Sequence, residues 1–386
     1  MTTKKRVQTY LESEQNKLID LSHKIHANPE LAFKETKAAT WLTEALLEAG
    51  FKVEKGVCDL PTAFIATFGK GALHVAICAE YDALPEIGHA CGHNIIAASA
   101  LGAGIALAQV ADEIGITVNV IGTPAEENGG GKILMLDRGA FKNIHVAMMV
   151  HPAPFDIIDP NIIAAVQLGI HYKGKSSHAS AFPELGINAA DAMTVAQTAI
   201  GLLRQHMRST DRVHGIITKG GDAPNIIPEH TEAKYIVRSQ TLDELNEIHE
   251  KVIHCFEAGA IATGSKLEVI ESEKPYAHMK HDYDIAKLYQ HNAEKLGRHF
   301  PEIGDNKKQF SASTDMGNVS LVIPSIHPAI GIDSDPAVNH QPEFTACCIT
   351  QSADKAVMDG ALAMAWTVID ITQDAKLKKR LLEPLS

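Results

Sequence analysis

The sequence predicts an α/β fold that is interrupted by a smaller α+β unit, and three observations lead to this class. In the first third of the chain, short apolar runs alternate with helical patterns, which is typical of a parallel or mixed sheet with helices on both faces. Between about residues 165 and 276 the order changes to strand, helix, two strands, helix and strand. The first alternation then resumes and ends in a helix at 353–372.

The larger unit is predicted from the two ends of the chain. Helical patterns at 18–27 and 38–49 precede the apolar runs 63–68 and 73–79. The apolar stretch 95–111 is interrupted by Ser, Gly and Gln and falls short of the roughly 20 apolar residues that a bilayer requires, so it predicts a buried helix. The remaining elements predicted here are 118–122, 145–150, 285–296 and 353–372.

The middle unit has an order of elements of its own. Its predicted strands and helices are, in sequence, 166–172, 188–207, 213–218, 231–238, 242–262 and 266–271. This is the order of a ferredoxin-like unit. We therefore predict a larger domain made of residues 1–164 and 277–386, into which a ferredoxin-like domain at 165–276 is inserted.

Charge and cysteine content limit the partners and the compartment. The chain has 47 acidic and 35 basic residues, and its net charge of −12 repels phosphate backbones and anionic membrane surfaces. We therefore expect neither nucleic acid nor a membrane as a partner. The N-terminus lacks the apolar run of a signal peptide, and the six cysteines are too scattered for a disulfide framework. Both features favour the cytoplasm.

Residue types that bind metals follow several of the predicted strands. Cys91 and His93 lie two residues apart, so a thiolate and an imidazole can converge on one soft or borderline cation. Glu126 and Glu127 follow one apolar run, and His151 follows the next. Because ligands bind at the carboxyl edge of the strands in open α/β sheets, these five side chains are expected to gather there.

The number and type of these groups favour two metal ions. His340, which follows another largely apolar run, adds a further imidazole. Five or more thiolate, imidazole and carboxylate ligands exceed the set of one tetrahedral catalytic zinc. Two ions about 3.5–4 Å apart can polarise a carbonyl and lower the pKa of a water between them, which is the chemistry of amide hydrolysis. The ligand types allow zinc, manganese, cobalt or nickel. Of the adjacent glutamates, one can bind metal while its neighbour accepts the water proton.

Several short segments occur in an order and spacing that leave little room for coincidence. These segments are 79–85, 89–93, 122–132, 150–152, 174–179, 225–228 and 339–342. They resemble the aminoacylase and carboxypeptidase family of two-metal peptidases, in particular the branch similar to p-aminobenzoyl-glutamate hydrolase and dipeptidase-like members. The resemblance implies a metallopeptidase-type catalytic domain with an inserted lid, and Glu126 as the general base. The metal ligands that it implies are Cys91, His93, Glu127, His151 and His340.

The same resemblance implies roles for four further residues. Asp82 lies behind the metal site and orients an imidazole. In the inserted unit, His178 donates to the developing oxyanion and Asn225 contacts the substrate, although ordinary turns would also explain both positions. Arg238 binds the substrate carboxylate through its planar guanidinium, with a surface ion pair as the alternative. Relatives pair through their lids across a twofold axis, so a homodimer is expected in which the lid of one chain completes the active site of the other.

The predicted function is metal-dependent hydrolysis of the amide bond in a small N-acyl amino acid or dipeptide with a free carboxylate, by a water that Glu126 activates. Two alternatives stay open. Cys91 could be the nucleophile of a thiol amidase with His93 or His151 as its base. The chain could also be a degenerate relative that binds an amino acid or peptide, although such a protein need not keep Glu126.

The glycine run that ends at Lys132 has two further interpretations. A Walker loop requires a longer glycine spacing and a Ser or Thr after the lysine, whereas Ile133 follows here. The glycines therefore either let the backbone pass close to the substrate or make a tight turn.

Overall fold

The computed structural model describes residues 1–272, 274–301 and 311–383. The chain forms two compact units, one from residues 1–161 and from 279 onward, the other from residues 162–278. Each unit has a hydrophobic core of its own. Helices and strands are numbered along the whole chain, and the short strand β7 (Asn161–Ile162) lies where the first unit passes into the second.

The larger unit has helices packed around a six-stranded sheet. Its helices are α1 (Thr3–His26), α2 (Thr36–Glu48), α3 (His93–Ala108), α4 (Ala111–Ile114), α5 (Gly131–Asp137), α8 (Tyr283–Lys295), α9 (Met316–Ser320), α10 (Pro342–Cys347), α11 (Gln351–Gln373) and α12 (Ala375–Leu382). Its strands are β1 (Lys52–Lys55), β2 (Phe64–Phe68), β3 (Leu73–Ala79), β4 (Ile116–Gly122), β5 (Val146–Met148), β6 (His151–Ala153), β12 (Ser311–Ala312), β13 (Ser325–Ile326) and β14 (Ala329–Gly331).

The large sheet is mixed, with the strand order β1-β2-β4-β3-β5-β13. The four strands β4, β3, β5 and β13 are parallel, whereas β1 and β2 are antiparallel to their neighbours. Linker length accounts for this difference from an all-parallel sheet. Only residues 69–72 link β2 to β3, so the chain has to reverse there, and a parallel crossover would need a dozen residues or more.

Helix α3 lies inside the larger unit, and all of its residues are buried. It packs against α1, α11 and the strands β3 and β4. A Cβ at Gly104 would lie 2.3 Å from Cγ2 of Val120, and one at Gly102 would lie 2.9 Å from Cβ of Ala361, so these glycines permit the close approach. The apolar stretch predicted as a buried helix is thus internal. In the part of the chain that the structure describes, no helix is both long and apolar enough to span a bilayer.

The smaller unit (residues 162–278) is an antiparallel sheet in the order β11-β8-β10-β9, with two helices on one face. Its elements are β8 (Ala164–Lys173), α6 (Ala189–Leu203), β9 (Arg212–Lys219), β10 (His230–Ser239), α7 (Leu242–Thr263) and β11 (Lys266–Glu271). Along β10, buried residues alternate with more exposed ones, because one face packs on the helices and no described element of this unit covers the other. The predicted ferredoxin-like unit is confirmed.

Candidate metal centre

Side chains predicted from the sequence come together at the carboxyl edge of the large sheet. Asp82 follows the end of β3, and Glu126 and Glu127 follow the end of the parallel neighbour β4. His151 is the first residue of β6, and its ring lies 6.0 Å from that of His93. The shared direction of the strands accounts for this gathering.

Two tight backbone turns add the remaining donors. Gly92 has φ 74° and separates Cys91 from the start of α3. A Cβ on Gly92 would lie 2.7 Å from Cγ of Pro152, so only glycine allows the turn to pack beside β6. His340 has φ 69°, and its N–H donates to the carbonyl of Ala90 at 2.9 Å. A left-handed conformation outside glycine is uncommon and marks a place that the surrounding structure holds under strain.

The sulfur of Cys91 lies between two groups of possible metal ligands. It is 3.5 Å from Nε2 of His151 and 3.5 Å from Nε2 of His340. Nε2 of His340 is in turn 3.5 Å from Oε2 of Glu127. The donor atoms of Cys91, His93 and His151 lie within 4.8 Å of one another, and so do those of Cys91, Glu127 and His340. Because neighbouring ligands of a tetrahedral ion with these bond lengths are about 3.4–3.7 Å apart, each group could hold a divalent cation.

Several buried atoms of this cluster and of the neighbouring Glu80 have no hydrogen-bond partner among the residues that the structure describes. They are Nε2 of His93, Oε1 of Glu127 and Oε2 of Glu80. Buried polar atoms are normally satisfied, so such exceptions require an explanation. Imidazole, thiolate and carboxylate groups are ligands that divalent transition metals accept, and the residues present therefore fit a metal centre.

Carboxylates flank both nitrogen atoms of the His93 ring. Its Nδ1 lies 3.0 Å from Oδ1 of Asp82, and its Nε2 lies 3.5 Å from Oε2 of Glu80. Asp82 also accepts a hydrogen bond from the N–H of Glu127 at 3.0 Å. Burial opposes the ionisation of Asp82, but His93 and these hydrogen bonds hold the pKa of its carboxyl below the ordinary value. With Nδ1 occupied by Asp82, Nε2 of His93 is left for the cluster, as an orienting carboxylate requires.

Glu126 lies beside the possible ligands and is only 6% exposed. Its Oε2 is 3.9 Å from Nε2 of His93, and it forms a third group of close donors with His93 and Glu80. Burial and the charge of Glu80 raise the pKa of Glu126 well above the ordinary value. The preceding Ala125 has φ 59°, and its N–H donates to Oε1 of the buried Glu35 at 2.9 Å. Glu35, which sequence reasoning missed, thus holds the strained backbone that presents Glu126.

A buried charged group behind the cluster was also missed by sequence reasoning. Nζ of Lys132 donates to Oε1 of Glu80 and, at 2.8 Å, to Oδ1 of Asp315, and all three side chains are fully buried. Burial raises the pKa of Asp315 to about 6, although Lys132 opposes this effect. One sequence feature pointed to Glu80. It lies two residues before Asp82, and extended backbone turns such residues to the same side.

The glycine run before Lys132 serves packing. A Cβ on Gly131 would lie 1.8 Å from the carbonyl oxygen of Pro124, and Gly129 and Gly130 have φ of 147° and 61°. These values support the tight-turn interpretation, because only glycine accepts such a conformation and such an approach. The turn starts α5 and directs the Lys132 side chain into the buried charged group.

In the smaller unit, the structure brings His178 and Asn225 together. The N–H of Ala179 donates to the carbonyl of Asn225 at 3.0 Å. Nδ1 of the exposed His178 accepts hydrogen bonds from the N–H groups of Ser180 at 3.3 Å and Ala181 at 3.2 Å. Because Nδ1 is an acceptor, the hydrogen of the neutral ring is on Nε2. His178 therefore offers a hydrogen-bond donor at Nε2.

Arg238 lies at the other end of the smaller unit. It is opposite Ala165 near the start of β8, whereas His178 follows the end of that strand. The eight residue steps of β10 from His230 to Arg238 correspond to about 26 Å. The structure therefore does not bring Arg238 together with His178 and Asn225.

Curated relatives match most of the chain. It is 39% identical to the Xaa-Arg dipeptidase of Mus musculus over 382 residues, and this match covers 95% of this chain and 88% of that protein. It is 33% identical to one of the subunits of p-aminobenzoyl-glutamate hydrolase of Escherichia coli over 279 residues, and this match covers 67% of this chain and 58% of that protein. These matches confirm the predicted resemblance to the aminoacylase and dipeptidase-like peptidases.

A family model and the fold agree with these relatives. Residues 163–263 match the model described as the peptidase dimerisation domain. The fold is similar to that of a dinuclear metal-binding peptidase of the M20 family from Bacillus subtilis, with a TM-score of 0.69 and 21% identity over 93% of this chain and 99% of that chain. The chain therefore belongs to the M20 family of peptidases and is a hydrolase.

Proposed function

We propose that this hydrolase is a two-metal dipeptidase that acts on small dipeptides with a free C-terminal carboxylate. The observation that supports this most is the pair of three-donor groups that share Cys91, with Glu126 directly beside them. One cation would be held by Cys91, His93 and His151, and the other by Cys91, Glu127 and His340. Because both donor groups include Cys91, two cations held there would be close enough to act on one carbonyl group.

The residues around the cations would each have a separate role in the reaction. When bound, the two cations would polarise the substrate carbonyl and lower the pKa of a water. Glu126 accepts the proton of that water and afterwards donates it to the amine that leaves. Asp82 keeps Nε2 of His93 directed to the cluster by holding Nδ1. His178 donates from Nε2 to the oxyanion as it forms.

The surroundings of Cys91 argue against the thiol nucleophile. Burial and the charge of Glu127 raise the pKa of this thiol well above its ordinary value. Catalytic cysteines need the opposite shift, because the thiolate is the nucleophile. Coordination to a cation would deprotonate the thiol directly. We therefore assign Cys91 to metal binding.

Metal content tests the shared sulfur. Cys91→Ala is expected to lose both ions and His151→Ala one ion, because Cys91 belongs to both donor groups and His151 to one. The measurement is elemental analysis after dialysis against dilute zinc(II) or manganese(II). Cys348→Ala is the matched control, since it removes another buried thiol outside both groups and should leave the metal content unchanged. Full metal content in Cys91→Ala would contradict the proposed centre.

Two observations favour a dipeptide that ends in a basic residue. The relative from Mus musculus that shares 39% identity over 95% of this chain is named for Xaa-Arg dipeptides. The net charge of −12 also attracts cationic molecules and repels acidic ones such as p-aminobenzoyl-glutamate. The free carboxylate of the dipeptide would be bound by Arg238, whose guanidinium matches a carboxylate bidentately.

Amidation of the substrate tests the carboxylate contact. We expect Ala-Arg to be cleaved about 10- to 100-fold faster, in kcat/KM, than Ala-Arg amide, because a charge-assisted hydrogen bond contributes about 1.5–3 kcal/mol. Arg238→Met should remove this discrimination. Arg212→Met is the control, since Arg212 lies opposite Arg238 on β9 and should leave the ratio unchanged. Equal rates of the unmodified enzyme on acid and amide would exclude the contact, and faster cleavage of p-aminobenzoyl-glutamate would exclude the basic preference.

We also propose a homodimer in which each smaller unit serves the active site of its partner. The match to a dimerisation domain supports the association. The separation of about 26 Å along β10 supports the exchange, because one small dipeptide cannot contact both Arg238 and His178 of the same unit. The end of the smaller unit with Arg238 and the end with His178 would then contact different substrate molecules. In a twofold dimer such an exchange is reciprocal.

Mixed dimers test this exchange. His178→Ala and Glu126→Gln are each expected to be inactive, and their mixture should regain roughly a quarter of the normal activity per subunit. Half of the dimers would be mixed, and each would contain one site with both groups intact. A mixture of Glu126→Gln with Glu127→Gln is the control and should stay inactive, because each chain then lacks a group of its own centre. Inactive mixed dimers, once exchange is shown with differently tagged chains, would place His178 in its own chain's site.

A further inference from the structure

We propose that the smaller unit carries a third metal site, formed by His171, His230 and Glu232. His171 lies on β8 and the other two on β10, and the register places Glu232 directly opposite His171. All three alternate along their strands with buried residues of the core, so they share the sheet face that the helices of this unit leave uncovered.

The donor atoms form a compact triangle. Nδ1 of His171 is 3.3 Å from Nε2 of His230, which is 3.4 Å from Oε1 of Glu232. The third side, from Nδ1 of His171 to Oε1 of Glu232, is 3.8 Å. Two ligands of a tetrahedral zinc with bonds of 2.0–2.1 Å are about 3.4 Å apart. The triangle thus matches one face of a zinc coordination tetrahedron.

Hydrogen bonding leaves one side of this triangle without an attraction. If the two imidazoles share one hydrogen, the lone pairs on another side face each other, and if both rings donate to Glu232, their two N–H groups face each other. A divalent cation satisfies all three donors at once. The rings of His171 and His230 are already stacked, with centroids 5.5 Å apart, so binding requires little loss of side-chain freedom.

The surroundings admit a cation and one further ligand. The three side chains are between 24% and 35% exposed, so a water can complete the tetrahedron on the open side. Two lysines lie opposite members of the site, Lys173 opposite His230 and Lys219 opposite Glu232. Lys173 is paired with Glu268 at 2.5 Å and Lys219 with Asp222 at 3.2 Å, which offsets their repulsion of a cation. Two imidazoles with one carboxylate suit zinc, nickel or copper rather than magnesium or calcium. The bound ion would connect the central strands β8 and β10.

The test counts metal in the full-length protein. Protein stripped with chelator is dialysed against buffered zinc(II), and bound zinc is measured by elemental analysis. The unmodified chain is expected to bind one equivalent more than His171→Ala and one more than Glu232→Gln, with kcat unchanged in both variants. Because the test compares the zinc content of the unmodified protein with that of each variant, it does not depend on the number of ions that the catalytic centre binds. An anomalous scattering peak at the zinc edge between the three donors would locate the ion.

A single imidazole–carboxylate pair of the same unit is the control. His249 lies 3.0 Å from Glu271, and His249→Ala should bind as much zinc as the unmodified protein. The melting temperatures of the stripped forms establish whether the variants are folded. If His171→Ala does not fold, the zinc content of Glu232→Gln, which keeps the side-chain shape, is the test of the site. Equal zinc content in the unmodified and Glu232→Gln proteins, or no anomalous peak, would overturn the site.

Discussion

Replacing Glu126 with glutamine is expected to lower kcat by on the order of 10²–10⁴-fold while the metal content stays complete, because the variant loses only the proton acceptor. Glutamine keeps the shape of the side chain in a position that is 6% exposed, so the centre should stay assembled. The measurements are turnover of Ala-Arg and elemental analysis on the same sample. They separate a lost proton transfer from a lost cation.

The neighbouring glutamate supplies the matched comparison. Glu127→Gln makes the same chemical change one residue later, but Glu127 belongs to a donor group with Cys91 and His340. This variant should therefore lose metal as well as activity. Near-normal turnover by metal-loaded Glu126→Gln would remove Glu126 from proton transfer.

Replacing Lys132 with methionine is expected to lower the free energy of unfolding of the metal-free protein by about 3–5 kcal/mol, since the change leaves buried carboxylates without their counter-ion. Glu80 and Asp315 both accept hydrogen bonds from Nζ of Lys132, and none of the three side chains is exposed. Denaturant unfolding at fixed pH gives the difference. Lys52→Met is the control, because it makes the same substitution in a surface ion pair with Glu54 and should leave stability unchanged.

The loss should depend on pH in a defined direction. Burial already holds the pKa of Asp315 at about 6 with Lys132 present, and removal of the lysine can only raise it further. A carboxyl whose folded pKa exceeds its unfolded value stabilises the fold at low pH and loses that contribution as pH rises through the folded pKa. The defect of Lys132→Met should therefore be smaller at pH 5 than at pH 8. If the free energy of unfolding falls by less than about 1 kcal/mol at pH 8, other groups must stabilise the buried carboxylates of Glu80 and Asp315.

Part of the site followed from the sequence because it depends on local rules. Parallel strands present their carboxyl ends at one edge, so the positions of Glu126, Glu127 and His151 after apolar runs were enough to predict that they gather. The turn at Gly92 is likewise local, since a glycine between Cys91 and His93 indicates a backbone reversal. The ferredoxin-like unit was predictable for a similar reason, because its order of strands and helices lies within one continuous segment.

The sequence by itself therefore determined the elements, the fold class and the donors at the strand ends. Only the tertiary structure decided which side chains share a buried space. Cys91 meets His340 across 249 residues, and Lys132 meets Asp315 across 183. It also decided that β2 runs against the parallel strands, with β1 antiparallel to β2, and that Arg238 lies far from His178. Ligand sharing and charge compensation depend on distances of a few ångströms, and packing between segments sets those distances independently of spacing along the chain.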